Sequence, residues 1–334
     1  MLKRPRGAPM RDVMRRSLLA IVIALLAAAP AHAATTKANW DKADQRAVVR
    51  AGVLPSLDDG FQGDHALTPG QLEAALAEIG AGSTTAVKVT ADRITVAVFH
   101  KYVVKQLGLA DVVRAVQAEA SRAGLSPPSR FGTEVVARQL GLRYDHPTQD
   151  DSLELYPTDT ITRAEAAYSF ARLLENGTGS AYYAREVLER FSLPSYTDAQ
   201  RRALKTAVSK IGMPYVWGGE TDGTSNSLYG PQAHGGYDCS GFVWRVFKLS
   251  GDPAGARIGG RTAAAMALEI KRGARLKFAK VRPADLLFFG KGISHVGIAM
   301  SRDFMIHSSG QGVAITPLFD DYRQSSFDWA RRVL

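Results

Sequence analysis

Asp238-Cys239-Ser240-Gly241-Phe242-Val243-Trp244 is the stretch on which the reading of this chain turns. It holds the only cysteine among 334 residues. Phe242, Val243, Val246, Phe247 and Leu249 follow at helical spacing, and Gly235, Gly236, Tyr237 and Asp238 precede it in a loop. The spacing predicts a buried helix with Cys239 on its first turn. Unpaired backbone N–H groups and the helix dipole favour negative charge there, which predicts a lowered thiol pKa. One reading of Cys239 is a small buried hydrophobe, the ordinary fate of a free cysteine. The other is a nucleophile, and the start of the chain favours it. An exported protein with one unpaired cysteine exposes a thiol to oxidation for no structural return.

Downstream, apolar runs at 285–289, 295–300 and 304–307 predict strands. A short loop at 301–303 pairs Met300 with Phe304, and Gly297 with His307. That register puts His295 and His307 on one sheet face as diagonal neighbours within about 8 Å. A nucleophilic thiol needs a base within hydrogen-bond reach, and the base needs a third group to fix its tautomer. Cys239, His295 and His307 can fill those three roles. His32, His65, His100, His146 and His234 are read as surface or satisfied core residues.

Tyr215-Val216-Trp217-Gly218-Gly219, Asp238-Cys239-Ser240-Gly241-Phe242, Arg261-Thr262, Asp285-Leu286-Leu287-Phe288-Phe289, His295-Val296-Gly297-Ile298 and Ile306-His307 occur in that order. Together, over residues 198–334, they resemble the NlpC-type cell-wall cysteine peptidases. The resemblance implies a papain-like α+β domain with an antiparallel sheet and helices. It implies that Cys239 is the nucleophile, His295 the base and His307 the orienting residue. It further implies cleavage of peptidoglycan stem peptides, typically between D-glutamate and a diamino acid, with no metal or organic cofactor. The backbone N–H of Cys239 and the Tyr215 hydroxyl are candidate oxyanion donors; a packing aromatic is the other reading of Tyr215. Asp238 and Ser240 are candidates to meet the free amine of a stem peptide, or else serve the helix start locally. The chain departs from the family in two places. The loop 220–236 is long, and Ala284 stands where a glycine is common.

Residues 40–175 are helical in pattern with internal similarity. Leu67-Thr68-Pro69-Gly70-Gln71-Leu72, Ile94-Thr95-Val96-Ala97-Val98-Phe99 and Ile161-Thr162-Arg163-Ala164-Glu165-Ala166 share a theme in which a threonine caps a helix. With the glycine-ended helices and Asp-rich loops before them, these copies resemble the S-layer homology repeat. That resemblance implies an all-helical module binding an anionic wall polysaccharide; a spacer without ligand is the alternative. Arg163 is the candidate cation for the glycan, or else a solvated surface charge.

Residues 1–33 have the form of a secretory signal, with a basic start, an apolar run from Leu18 to Ala29 and Ala31-His32-Ala33 at the end. They carry a net of +5, leaving +5 of the chain's +10 for the rest. A mildly basic remainder suits an anionic surface such as a bacterial wall and is too weak to argue for nucleic acid. No integral membrane segment is expected after cleavage. One cysteine excludes an internal disulfide framework and a multi-thiolate zinc site. The expected organisation is a signal at 1–33, a helical wall-associated domain at 34–192 and a peptidase domain at 193–334. Rival readings are an amidase or acyltransferase on the same fold, and a non-catalytic wall-binding protein.

Overall fold

Residues 40–209 form eight α-helices and one short 3-10 helix (Thr148–Leu153) among the described residues: α1 (Lys42–Arg50), α2 (Pro69–Ile79), α3 (Val96–Gln106), α4 (Ala110–Arg122), α5 (Phe131–Gln139), α6 (Arg163–Asn176), α7 (Gly179–Glu189) and α8 (Asp198–Ser209). The computed structural model describes residues 40–80, 87–177, 179–227 and 229–334, so the signal expected at 1–33 lies outside it. The three predicted threonine caps are present. Thr68 accepts the Gln71 N–H at 3.2 Å, Thr95 that of Val98 at 3.3 Å and Thr162 that of Glu165 at 3.2 Å. Each satisfies a donor that a helix start leaves open. The residues just ahead also pair: the Leu67 N–H donates to the Ile161 carbonyl, and the Ile161 N–H to that of Ile94, both at 3.0 Å. Leu67, Ile94 and Ile161 are buried. The repeated apolar-Thr pair thus has a physical cause: one residue enters a shared seam, and the next starts a helix from it.

Arg163 corrects its expectation. It is fully buried, neither a glycan contact nor a surface charge. Its Nε donates to the Phe61 carbonyl at 2.9 Å and its Nη2 to that of Pro55 at 2.6 Å, with the guanidinium 4.7 Å from the Phe61 ring centroid. The 55–61 loop closes over it and uses it as a backbone staple.

The second half carries two short ladders, then a five-stranded sheet. The ladders are β1 (Glu220–Thr221) with β4 (Gly236–Tyr237), and β2 (Ser225–Ser227) with β3 (Gly230–Gln232). Next come α9 (Cys239–Trp244), continued by a π-helical turn Arg245–Leu249, and α10 (Ala263–Leu268). The sheet strands are β5 (Leu286–Phe289), β6 (His295–Ala299), β7 (Phe304–Ser309), β8 (Gly312–Pro317) and β9 (Phe327–Arg331), with α11 (Asp321–Ser326) before the last. Their order is β8-β7-β6-β5-β9, and every pairing is antiparallel. One sheet face, with Phe288, Val296, Ile298, Ile306 and Ile315, joins the main core and receives Phe242, Val243 and Val246 of the cysteine helix. Leu249 was expected on that buried stripe but is exposed, since the π turn carries it off the apolar side.

The helical half and the sheet belong to one compact unit, Thr36–Leu334. The Gln139 side chain of α5 donates to the Ile315 carbonyl of β8 at 2.7 Å, and the Tyr196 hydroxyl to the Met300 carbonyl at 2.9 Å. His100 and His146 are core residues, paired with Glu134 at 3.0 Å and Glu165 at 2.8 Å, but the buried Nδ1 of His146 has no partner, so of the two only His100 meets the expectation.

Ala284 sits at φ +67, in the left-handed region, with its N–H donating to the Ala299 carbonyl at 2.8 Å. A side chain there costs about 1–2 kcal/mol, and glycine's extra unfolded freedom returns about 0.5–1 kcal/mol of that. Ala284→Gly should therefore leave stability unchanged or raise it by up to about 1 kcal/mol, read from urea unfolding of both proteins. A clear loss would mean that packing of the buried methyl group outweighs the strain.

Candidate active site

The site is built where the cysteine helix meets the first residues of β6. Asp238 is the N-cap of α9, in extended conformation, and accepts the Gly241 N–H. Gly241 has no room for a side chain: a Cβ would fall 1.9 Å from the Gly219 carbonyl oxygen. The backbone ahead of Cys239 is pinned from two sides. The Asp238 N–H donates to the Gly219 carbonyl at 3.1 Å. The Ser308 hydroxyl of β7 donates to the Tyr237 carbonyl at 2.6 Å. The Cys239 sulfur is reached by the backbone N–H groups of Val296 and Ser240, so it lies against the strand that begins with His295.

Strands β6 and β7 pair Ile298 with Ile306 and Ala299 with Met305, the register expected from the sequence. His295 and His307 meet on one face, with Nε2 of His295 2.7 Å from Nδ1 of His307. Gly297 makes the approach possible, because a Cβ there would stand 3.3 Å from the His307 Cβ and 2.8 Å from the Met305 sulfur. Nε2 of His307 in turn lies 2.7 Å from the Thr316 hydroxyl on β8. This chain leaves Nδ1 of His295 as the nitrogen not engaged by His307.

The floor of the site is an arginine whose role the sequence reading did not assign. Arg261 donates through Nε to Glu220 at 2.7 Å, through Nη1 to Ser240 at 2.9 Å and Asp238 at 3.2 Å, and through Nη2 to the Gly218 carbonyl at 3.0 Å. It ties the loop 220–236 to the cysteine turn. Ser240 also donates to Asp238, at 3.0 Å. Both candidate substrate-facing residues are therefore committed to the local network, although both still line the cleft. That cleft has a volume of about 190 Å³, and Tyr215, Asp238, Cys239, Ser240 and Ile293 contribute to it. Trp217 and Tyr229, exposed by 64% and 49%, flank it, Tyr229 coming from the long loop. Ile293 has φ +60, a strained setting for a β-branched residue, in the turn that delivers His295.

Electrostatics correct one expectation. Burial pushes the Cys239 thiol up to about 11, with Asp238 adding to the rise and the Val296 and Ser240 N–H groups opposing it. A helix N-terminus contributes about 0.3–1 kcal/mol, less than the ~1.4 kcal/mol of one pKa unit, so burial wins. Burial also pushes His295 down to about 4, with Arg323 acting in the same direction. His307 is held well below its usual range by burial, then by His295 and Arg323. Tyr215 is raised by burial, then by Cys239, which keeps its hydroxyl a neutral donor. Burial thus favours the neutral form of both thiol and imidazole; no hydrogen bond joins Cys239 to His295 among the described residues, and a nucleophile would form as the thiol proton passes to a base during attack.

The NlpC/P60 family pattern matches residues 212–332. Over 201 residues the chain is 30% identical to murein DD-endopeptidase MepH of Escherichia coli (strain K12), covering 52% of this chain and 68% of that protein. Over 117 residues it is 31% identical to gamma-D-glutamyl-L-lysine dipeptidyl-peptidase of Bacillus subtilis (strain 168), covering 34% of this chain and 33% of that protein. A crystal structure of an NlpC/P60 family protein from Bacillus cereus is 26% identical, covers 43% of this chain and 42% of that chain, and has a TM-score of 0.31. The chain thus spans about two thirds of the first relative and less than half of the other two.

The resting electrostatics can be read with no substrate present. The His295 ring should titrate near pH 4 by NMR, not near its usual 6.5. Iodoacetamide alkylation of Cys239 should rise toward a midpoint near pH 11. Sign follows from burial: His295 resists gaining a proton as pH falls, and Cys239 resists losing one as pH rises. Rapid alkylation that stays flat from pH 5 to 9 would instead reveal a preformed thiolate–imidazolium pair.

Proposed function

The chain belongs to the NlpC/P60 family, and from that premise we propose that it is an exported peptidoglycan hydrolase, a cysteine endopeptidase acting on stem peptides through Cys239. The observation that carries this reading is the 2.7 Å contact between His295 and His307 on the strand that abuts the Cys239 sulfur. On attack, the thiol proton passes to Nδ1 of His295 and the sulfur bonds to the scissile carbonyl carbon. The Cys239 N–H and the Tyr215 hydroxyl donate to the oxyanion that forms. Collapse breaks the C–N bond, and the imidazolium returns its proton to the leaving amine. Water then hydrolyses the thioester with His295 as base. His307 is a positioning residue that holds the ring of His295.

The bond proposed is that between D-glutamate and the diamino acid, a reading supported by the family resemblance and by the name of the Bacillus relative. The Escherichia relative favours a second reading, cleavage of the DD cross-link between stems. Asp238 and Ser240 bear on the choice, since a free stem amine would have to compete with Arg261 for them. For residues 34–192 we keep wall association, through S-layer-homology-like helices. A groove of about 470 Å³ lined by Lys101, Lys105, Arg114 and Arg130 supports an anionic polymer partner better than Arg163 does.

The experiment is digestion of defined muropeptides followed by mass spectrometry. Monomeric stems should be cut after D-glutamate; cutting confined to cross-linked dimers would select the DD reading. Cys239→Ala should abolish turnover, and His295→Ala should come close to doing so. His307→Asn should retain more activity than His307→Ala, since an amide can still hydrogen-bond the ring, although loss of an orienting partner can reach ~10⁴-fold. Parental turnover by a folded Cys239→Ala protein would sink the mechanism.

A further inference from the structure

A second cleft, of about 450 Å³, is lined by Thr316, the hydroxyl partner of His307, and shares no lining residue with the cysteine cleft. Its walls come from α5 (Arg138, Gln139), from the β7 and β8 strands (Ser309, Thr316) and from α11 with its cap (Arg323, Asp320). It therefore sits at the seam between the helical half and the sheet.

Two cations line this cleft with donors to spare. The Arg138 side chain is 1% exposed. Its Nη2 donates to the Gly212 carbonyl at 3.1 Å and lies 3.2 Å from Glu134 Oε2, while Nε and Nη1 have no hydrogen-bond partner. Open donors on a buried guanidinium are costly unless something accepts from them. Arg323 is flanked by the Phe289 and Tyr322 rings and makes no side-chain ion pair within 4 Å among the described residues, Asp320 being the carboxylate that acts on it. The one carboxylate in the lining, Asp320, spends an oxygen on capping α11 by accepting the Arg323 backbone N–H at 2.6 Å.

We propose that this cleft binds an oxyanion, a carboxylate or phosphate group, between Arg323 and Arg138, and that the ligand acts on the catalytic histidines through Thr316. The cleft goes beyond the peptidase reading, because its ligand need not be the peptide that is cut. Thr316 has one proton. An oxyanion that accepts it leaves the Thr316 oxygen as an acceptor for the Nε2–H of His307. Nδ1 of His307 then has to accept from the Nε2–H of His295, which frees Nδ1 of His295 as the base. The same anion would offset the charge of Arg323, which disfavours the protonated form of both rings. The ligand is thus an activator.

The test is calorimetric titration of the full chain with inorganic phosphate, and separately with acetate, at constant ionic strength, with no substrate. Failure here would therefore leave the hydrolase reading standing. Saturable binding is expected, weakened about tenfold in Arg323→Gln and unchanged in Lys271→Gln, an exposed lysine that lines neither this cleft nor the basic groove. A response to phosphate alone assigns a phosphate-bearing ligand, and to acetate alone a carboxylate. No saturable binding of either, or equal binding by Arg323→Gln, overturns the site. At saturation, alkylation of Cys239 should quicken in the parental chain and not in Thr316→Val. An equal gain in Thr316→Val overturns the link through the hydroxyl.

Discussion

One contact, 2.7 Å between His295 Nε2 and His307 Nδ1, is what the rest of the domain serves. It needs two strands in one register, a glycine at 297 beside His307, and an acceptor or donor at Thr316 to finish the line. A slip of one residue would turn either histidine to the opposite face. Gly297 matters as much as the histidines, because a methyl group there would collide with the Met305 sulfur and crowd His307. The sheet's apolar face then receives the cysteine helix, so the packing that stabilises the domain also sets the sulfur against β6.

The helical half is part of this arrangement. Gln139 reaches the β8 backbone one residue before Thr316. Tyr156 accepts the Gly235 N–H at 2.9 Å and stacks on the His234 ring, in the loop just ahead of the cysteine turn. Residues well before the peptidase motifs thus hold the loop that leads to Cys239. Removing them would disturb the candidate site itself.

The sequence was most legible where spacing alone decides geometry. The register that joins His295 to His307 follows from a three-residue loop and alternation, and the three threonine caps follow from local chemistry. It was least legible where partners are far apart in the chain. Arg163 looks like a surface charge in a helix start, and only the returning 55–61 loop makes it a buried staple. Arg261 gave no sign that it would gather Glu220, Asp238 and Ser240. Thr316 could have been found by extending the hairpin logic across the turn at Gly310 and Gln311 to β8. The thiol pKa was misjudged because a local feature, the helix start, was weighed without the burial that only the assembled sheet supplies.

Tautomers decide whether the histidine line can act as a base. Nitrogen-15 NMR of the two rings in the full chain near neutral pH reads them directly. If His295 is poised to take the thiol proton, both rings carry their hydrogen on Nε2: His295 donates to His307, and His307 donates to Thr316. An Nδ1–H on His295 would mean that the line runs the other way, from the Thr316 hydroxyl through His307 into His295. Nδ1, the nitrogen that His307 does not engage, would then already be protonated, and His295 could not be the base.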